Sequence, residues 1–297
     1  MENLSTHKAG FVNIIGSPNV GKSTLMNVIV GEKLSIITSK AQTTRHRILG
    51  IVSGENYQIV FSDTPGMLEP QYKLQESMQG FVNLALIDAD VILFITDIFE
   101  NEVNHEETLK RIQKATVPVL LLLNKIDLAD QEKIDERIAF WKAIVPKAEI
   151  IPISALVKFN INRVFDRILE LLPEGPPFYP KDQLTDKPER FFVAEIIREK
   201  IFLNYKREVP YSCEVVIESF KEENTIIKIR AEIMVARESQ KGILIGHQGA
   251  SLKKVGIAAR KDLEAFFEKQ VHLELFVKVN KDWKNSETQL KRFGYLE

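Results

Sequence analysis

Gly16-Ser17-Pro18-Asn19-Val20-Gly21-Lys22-Ser23 sets two glycines, a lysine and a hydroxyl at the spacing G-x-x-x-x-G-K-S. Without a Cβ, Gly16 and Gly21 let backbone N–H groups curl around phosphate oxygens. Lys22 would reach β- and γ-phosphates, and the Ser23 hydroxyl would bind Mg²⁺. That chemistry needs a strand that ends at the loop and a helix that leaves it, the helix N-terminus adding positive dipole. Phe11-Val12-Asn13-Ile14-Ile15 supplies the strand and Thr24-Leu25-Met26-Asn27-Val28-Ile29 the helix. The loop specifies a nucleoside triphosphate and leaves the base open.

Asn124-Lys125-Ile126-Asp127 addresses the base. It follows Val117-Pro118-Val119-Leu120-Leu121-Leu122-Leu123, an apolar run expected as a buried parallel strand. A carboxylate at Asp127 can accept the N1 and N2 protons of guanine, and adenine offers no such pair. Lys125 would lie along the base plane, and Asn124 would tie the segment to the phosphate loop. Between these motifs, Asp63-Thr64-Pro65-Gly66 follows Tyr57-Gln58-Ile59-Val60-Phe61, read as an edge-type strand. Asp63 suits the Mg²⁺ shell through water, and the Gly66 N–H suits a γ-phosphate contact, with Met67 next to it. Ser154-Ala155-Leu156, after Ile150-Ile151-Pro152-Ile153, fits backbone contact to guanine O6. Lys22, Asp63, Asn124 and Ser154 follow one another in the order of the GTPase pattern, each at a strand end. The expected domain is an α/β P-loop GTPase fold, a mostly parallel sheet with helices on both faces.

The chain resembles the bacterial translation-factor-class GTPases. That resemblance implies that Thr44, in Lys40-Ala41-Gln42-Thr43-Thr44-Arg45, is the switch threonine that joins Ser23 and Asp63 around Mg²⁺ in the triphosphate state. The same segment also reads as a mobile polar loop, and mobility is compatible with both roles. Ras-like GTPases orient the attacking water with a glutamine after the D-x-x-G glycine. Met67 stands there and cannot hydrogen-bond a water, so slow intrinsic hydrolysis is expected. In related GTPases with G-x-P-N-x-G-K-S, the asparagine helps hold a K⁺ ion beside the phosphates. Asn19 has this reading, and the alternative that it only hydrogen-bonds within the loop. The catalytic candidates are Lys22, Thr44 and Asn19.

Composition sets the bounds. A length of 297 residues fits about two domains. A hydrophobic content of 44% and a charged content of 27% are ordinary for a globular chain. The net charge of −1 gives no global basic signal for nucleic acid. From Lys181 onward 22 Lys and Arg stand against 19 Asp and Glu, a surplus of three, so a nucleic-acid surface there must be local. The one cysteine, Cys213, excludes an intramolecular disulfide or a cysteine metal cluster. It alternates with Val215 and Ile217, which favours a buried thiol over a reactive one. No segment resembles a signal peptide, and no apolar run approaches a transmembrane helix. A cytoplasmic monomer is expected.

A helical pattern from Ile161 to Leu172 stops at Pro173. Glu174-Gly175-Pro176-Pro177-Phe178-Tyr179-Pro180 is too proline-dense for helix or central strand. The expected organisation is a GTP-binding domain over 1–173, a semi-rigid linker over 174–189 and a second domain over 190–297 with a C-terminal extension. The second domain opens with an amphipathic helix at Arg190-Phe191-Phe192-Val193. Two strands follow, Cys213 to Phe220 and Thr225 to Val235, the latter with Ile227, Ile229, Ala231, Ile233 and Val235 on one face. Gly246-His247-Gln248-Gly249 then joins two helices. The second of these lines up Leu252, Val255, Ala259, Leu263 and Phe266 on one face and Lys253, Lys254, Arg260 and Lys261 on the other. A last strand runs from Val271 to Val279.

The order α-β-β-α-α-β with G-x-x-G between the central helices resembles an α+β type II KH domain. Its loop would let single-stranded RNA backbone pass close by while bases lie in an apolar groove. The inner residues His247 and Gln248 are not basic, so phosphate attraction falls to Lys241, Lys253 and Lys254. The RNA-binding candidates are these three lysines with Gly246, His247, Gln248 and Gly249.

A GTPase domain, a proline-rich connection and a type II KH domain, with Leu172-Pro173-Glu174-Gly175-Pro176-Pro177, Val277-Lys278-Val279-Asn280-Lys281-Asp282-Trp283 and Arg292-Phe293-Gly294-Tyr295, are similar to the Era-like family of ribosome-associated GTPases. The resemblance implies binding of small-subunit ribosomal RNA near its 3′ end and a role in maturation of that subunit. It also implies some peripheral association with the inner face of the plasma membrane. A second function class, an RNA-modifying enzyme that uses GTP conformationally, would need a further catalytic constellation. Cys213 and the scattered His7, His46, His105, His247 and His272 do not supply one.

Overall fold

The computed structural model describes residues 7–102 and 105–296, and the chain divides into two compact units. The first comprises Met1–Ser35, Thr44–Pro70 and Met78–Asp186; the second comprises Ile36–Thr43, Gln71–Ser77 and Lys187–Glu297.

The first unit is built on strands β1 (Lys8–Gly16), β2 (Ile48–Ser53), β3 (Tyr57–Asp63), β4 (Val91–Asp97), β5 (Val119–Asn124) and β6 (Glu149–Pro152). Their order in the sheet is β2-β3-β1-β4-β5-β6, parallel throughout except for the antiparallel β2–β3 pair. Helices α1 (Lys22–Val30), α2 (Lys73–Ile87), α3 (Glu106–Gln113) and α4 (Gln131–Ile144) lie in the connections between strands, and α5 (Ile161–Leu171) follows β6. Strands covered on both faces need apolar side chains on both faces, so β4 is buried along its whole length and β5 from Leu120 onward. From β1 the chain goes to β3 on one side and then to β4 on the other. A crevice therefore opens over the C-terminal end of β1, where doubly wound sheets bind ligands.

The expectation of an edge strand at Tyr57–Phe61 is corrected: β3 lies between β2 and β1 and is buried from Gln58 to Asp63. Gln58 made it look like an edge. Its buried amide is instead fully used, Nε2 donating to Ser53 Oγ at 3.1 Å and Tyr179 O at 2.8 Å. Its Oε1 accepts Phe178 N at 2.7 Å and Tyr179 N at 2.9 Å. The edge is β2, which the sequence pattern did not reveal.

Residues 174–186, expected as linker, run as a strap along the first unit. The Ile51 N–H donates to Leu184 O at 2.8 Å and the Leu49 N–H to Asp186 Oδ1 at 3.1 Å, which occupies open donors of β2. Lys181 Nζ donates to the carbonyls of Gly54 and Glu55.

The second unit has helix α6 (Glu189–Asn204), strands β7 (Cys213–Glu222) and β8 (Ile226–Val235), helices α7 (Glu238–Ile245) and α8 (Ala250–Phe267), strand β9 (Gln270–Val279) and helix α9 (Glu287–Arg292). The sheet order is β7-β8-β9, with β7–β8 antiparallel and β8–β9 parallel. Val193, Ile197 and Ile201 of α6 and Val255, Ala259 and Leu263 of α8 pack on the apolar face of this sheet. Phe266, expected on the buried face of α8, is 41% exposed near the end of that helix.

Helix α6 departs from the amphipathic expectation and is buried almost throughout from Phe192 to Phe202. Its charges are paired: Arg198 Nε donates to Glu195 Oε1 at 2.7 Å, and Lys200 Nζ lies 2.9 Å from Glu199 Oε2 and also bonds Asp262. Lys40 Nζ donates to the carbonyls of Phe202 and Tyr205, two of the groups a helix C-terminus leaves open. The C-terminal extension is part of this packing. Trp283 is fully buried with Nε1 donating to Ser212 O at 3.1 Å, and the Tyr295 hydroxyl donates to Glu214 Oε2 at 2.7 Å.

Candidate nucleotide site and nucleic-acid groove

The P-loop connects β1 to α1 in a shape that only its glycines allow. A Cβ on Gly16 would stand 2.1 Å from Ile95 O, and one on Gly21, at φ 103°, would stand 2.3 Å from Asn124 Nδ2. Asn19 is also left-handed at φ 64° and exposed. Its side chain makes no hydrogen bond among the described residues.

Lys22 is 5% exposed, and Nζ donates to Gly16 O at 3.0 Å and Ser17 O at 2.8 Å. Burial lowers its pKa to about 8, against the opposing pull of Asp63 and Glu100. Ser23 Oγ donates to Asp63 Oδ2 at 2.7 Å and lies 2.9 Å from Thr44 Oγ1. Asp63 is fully buried, which raises its pKa above the usual carboxylate range, and Oδ1 has no hydrogen-bond partner. Two hydroxyls and an unpartnered carboxylate oxygen form a hard-oxygen donor set that fits Mg²⁺, an ion that takes few protein ligands and fills its shell with water and phosphate.

Thr43 and Thr44 divide their roles. The Thr43 hydroxyl bonds Thr38 Oγ1 at 2.6 Å and Lys40 O at 2.7 Å, so of the two only Thr44 joins Ser23. In the D-x-x-G segment, Thr64 Oγ1 donates to Ile14 O at 2.7 Å, and Pro65 is buried. A Cβ on Gly66 would meet Pro18 at 2.9 Å, so this turn lies against the P-loop. The Met67 N–H donates to Gly16 O at 3.1 Å, and its side chain is 2% exposed among Val82, Ala85 and Ile15. Met67 is a core residue that reaches no water.

At the base end, β5 delivers Asn124. Its Nδ2 donates to Val20 O at 2.7 Å and its Oδ1 accepts Ala155 N at 2.9 Å. The N-K-x-D motif, the P-loop and Ser154-Ala155-Leu156 thus meet on one side chain. Ser154 and Phe159 exchange backbone hydrogen bonds, which fixes a turn that leaves Ala155 buried and Leu156 76% exposed. Ile126 and Asp127 lie in a 3-10 turn that starts from Lys125. Asp127 is exposed, and no hydrogen bond engages its carboxylate among the described residues. Two residues outside the motifs complete this end: Asp97 Oδ2 pairs with Lys125 Nζ at 2.6 Å, and that ammonium lies 5.8 Å from the centroid of the Phe99 ring.

In the second unit, α7 and α8 meet at Gly246-His247-Gln248-Gly249. Gly246 (φ 69°), Gln248 (φ 48°) and Gly249 (φ 79°) all have positive φ, and a Cβ on Gly246 would stand 2.2 Å from Ser251 Oγ. His247 and Gln248 are exposed. Beside this loop a groove of about 360 Å³ is lined by Gly249, Leu252, Lys253, Gly256, Ile257, Arg260, Leu273 and Leu275. Of the residues expected to bind RNA, Gly249 and Lys253 line it. Gly246, His247 and Gln248 form the loop at its end, Lys254 is exposed one position along α8, and Lys241 sits on α7. Leu252, Gly256 and Ile257 were not expected there; the signal available was the i, i+4 pair Leu252 and Gly256 with Ile257 next to it, one glycine opening a face of α8 beside the G-x-x-G loop. The Cys213 thiol is buried and donates to Pro210 O at 3.2 Å.

A model of the 50S ribosome-binding GTPase family matches residues 11–125, and a KH-domain model matches residues 208–284. A GTPase Era from Geotalea daltonii is 47% identical over 289 residues, 97% of each chain. A chloroplastic GTPase ERA-like protein of Oryza sativa subsp. japonica is 44% identical over 296 residues, 98% of this chain and 70% of that one. A crystal structure of Era in complex with MgGDPNP and nucleotides 1506–1542 of 16S ribosomal RNA aligns with a TM-score of 0.94 at 41% identity, covering 98% of this chain and all of the other. A variant of Aquifex aeolicus Era bound to GDP and AlF4⁻ aligns with a TM-score of 0.93, also at 41% identity.

Proposed function

The chain belongs to the Era family of GTPases, and from that premise we propose that it is a GTP-switched RNA-binding factor in assembly of the small ribosomal subunit. The KH unit takes single-stranded small-subunit ribosomal RNA near its 3′ end, as in the Era complex with 16S nucleotides 1506–1542. The carrying observation is that one chain holds a buried carboxylate, Asp63, with one oxygen bonded to Ser23 Oγ, itself in reach of Thr44 Oγ1, and the other oxygen unpartnered, and, beside a G-x-x-G loop, a groove lined by Leu252, Ile257, Leu273 and Leu275 and rimmed by Lys253 and Arg260.

GTP or GDP binds the first unit with Mg²⁺, which Ser23, Thr44 and Asp63 would hold and which neutralises charge on the phosphates. Lys22 exchanges its two carbonyl partners for β- and γ-phosphate oxygens. The Gly66 N–H meets the γ-phosphate, and Thr44 completes the shell only in the triphosphate state. Asp127 selects guanine, the amides of Ser154-Ala155-Leu156 face O6, and Asn124 holds both segments to the P-loop. With Met67 in the core, intrinsic hydrolysis is slow. Asn19, exposed and with no side-chain hydrogen bond among the described residues, helps hold K⁺ beside the phosphates, and this favours the ion over a purely internal role.

The protein acts as a monomer in the cytoplasm, with part of it on the inner face of the plasma membrane. No helix of the described residues is long and apolar enough to cross a membrane. Sequencing RNA crosslinked in cells to GTP- and GDP-locked forms tests the reading. Reads should collect at the 3′ end of small-subunit ribosomal RNA and differ between the two forms; reads confined to transfer RNA would favour an RNA-modifying role.

A further inference from the structure

Lys125 is held in a conformation that its own backbone disfavours. It is left-handed, φ 64° and ψ 28°, where a non-glycine residue stores on the order of 1–3 kcal/mol. Such strain persists only where the surroundings fix it. Here the Ile126 N–H donates to Ile153 O at 3.4 Å and the Leu128 N–H to Lys125 O at 3.0 Å around that backbone, and two residues of the turn after β4 hold the side chain that leaves it.

Asp97 ends β4 directly beside Asn124 in the parallel register with β5, and the Ile98 N–H donates to Asn124 O at 3.3 Å. One carboxylate oxygen of Asp97 accepts the N–H groups of Phe99 at 2.9 Å and Glu100 at 3.2 Å, which folds the turn. The other oxygen bonds Lys125 Nζ at 2.6 Å. The Asp97 side chain is 7% exposed, so this charge-assisted bond is sheltered on one side. The same turn sets Phe99, 57% exposed, with its ring centroid 5.8 Å from the ammonium. A surface phenylalanine held by a dedicated turn against a cation is a cation–π arrangement.

We propose that Asp97 and Phe99 are positioning residues for the guanine base: they hold the Lys125 stem extended at the base end of the site and so set how long a guanine nucleotide stays bound. This rests on the reading of Asn124-Lys125-Ile126-Asp127 as the guanine site. The lysine stem carries four rotatable carbons, and a free stem would lose that freedom each time a base docked. The clamp removes the freedom beforehand, which is preorganisation, and its loss appears mainly as faster dissociation. Because the clamp acts through Lys125 and not through Asp127, its effect is independent of which purine Asp127 selects.

The test uses the full chain. Dissociation of a fluorescent GDP is timed for wild type, Asp97→Asn, Asp97→Glu and Phe99→Ala, and steady-state kcat and KM for GTP are measured beside it. The account expects Asp97→Asn to speed GDP release about tenfold and to raise KM by a similar factor, with kcat falling less than threefold. Phe99→Ala, at an exposed site that folding does not depend on, should give about a threefold effect in the same direction. Asp97→Glu should recover part of the loss. Unchanged release in both Asp97→Asn and Phe99→Ala overturns the clamp, and so does a loss that falls on kcat alone. In an Asp127→Asn background the Asp97 change should weaken xanthosine triphosphate by the same factor. If Asp127→Asn does not switch preference to xanthine, the guanine reading fails and the clamp with it. If it switches and Asp97→Asn then has no effect, only the clamp fails.

Discussion

The side-chain amide of Asn124 donates to the carbonyl of Val20 at 2.7 Å while its oxygen accepts the N–H of Ala155, so one side chain joins the phosphate loop to both base-recognition segments. Asn124 is 3% exposed, and its removal strands a buried carbonyl and a buried N–H, each costing about 1–3 kcal/mol. Asn124→Ala should therefore lower GTP and GDP affinity together by at least about tenfold. Calorimetric titration of both nucleotides checks this. A selective loss of GTP alone would mean that the tie serves the γ-phosphate instead.

Asp127, exposed and without a hydrogen bond to its carboxylate among the described residues, has the proposed role of touching only the base. Asp127→Asn should shift preference from GTP to xanthosine triphosphate. Loss of the charge-assisted pair costs on the order of 2–4 kcal/mol, some 30- to 1,000-fold. Competition binding with both nucleotides reads the switch, and an undiminished GTP affinity would refute the assignment.

Asn19 and Met67 make a joint prediction about hydrolysis. With Met67 buried in the core, no side chain at that position orients the water, and charge compensation beside the phosphates is the contribution left to Asn19 and a bound cation. Hydrolysis should be faster in K⁺ than in Na⁺ at equal ionic strength, and Asn19→Ala should erase the difference. Equal wild-type rates in the two salts would end the monovalent-ion account.

Tyr205 gives the second unit a pH dependence at the alkaline end. Its hydroxyl donates to Leu244 O at 2.6 Å, just ahead of the G-x-x-G loop, and burial pushes its pKa up to about 12 from 10.0. A raised folded-state value means that the folded protein keeps the proton while the unfolded chain loses it. The stabilisation is thus complete below pH 10 and drains away as pH climbs to about 12. Tyr205→Phe should destabilise the unit by about 1–3 kcal/mol at neutral pH, since it orphans the carbonyl. Melting curves of both proteins from neutral to alkaline pH should show the wild-type advantage narrowing above pH 10. A constant gap would mean that the hydroxyl titrates as in water.

How far the sequence carried follows from how local each demand is. Gly16, Gly21, Lys22 and Ser23 make a local pattern within eight residues, and the strand, tight loop and helix it implied are β1, the loop that its glycines allow and α1. The buried parallel strands announced themselves because both faces must be apolar. Long-range partners were hidden. Gln58 looked like an edge residue because its acceptor, Tyr179, lies 121 positions away. The polar face expected on α6 vanished because Arg198, Glu195 and Lys200 find ionic partners and are buried. Residues 174–186 read as linker because nothing in a proline-rich stretch says that β2 will need hydrogen-bond acceptors. Asp97 and Phe99 escaped for the same reason: their meaning comes from the register of β4 against β5. In the groove, Leu273 and Leu275 are ordinary strand residues until β9 is set beside α8.

The most direct test of the account concerns His247 and Gln248, both exposed between the two loop glycines. Replacing both with aspartate puts two negative charges where the RNA backbone should pass, on a loop whose fold depends on Gly246 and Gly249. The measurement is fluorescence anisotropy of a labelled single strand from the 3′ end of small-subunit ribosomal RNA, with guanine-nucleotide affinity taken in parallel. The account predicts RNA binding weakened by at least about tenfold, more at low salt because the effect is electrostatic, with nucleotide affinity unchanged within about twofold. Unchanged RNA affinity in a folded variant would contradict it, and the G-x-x-G would then be only a turn.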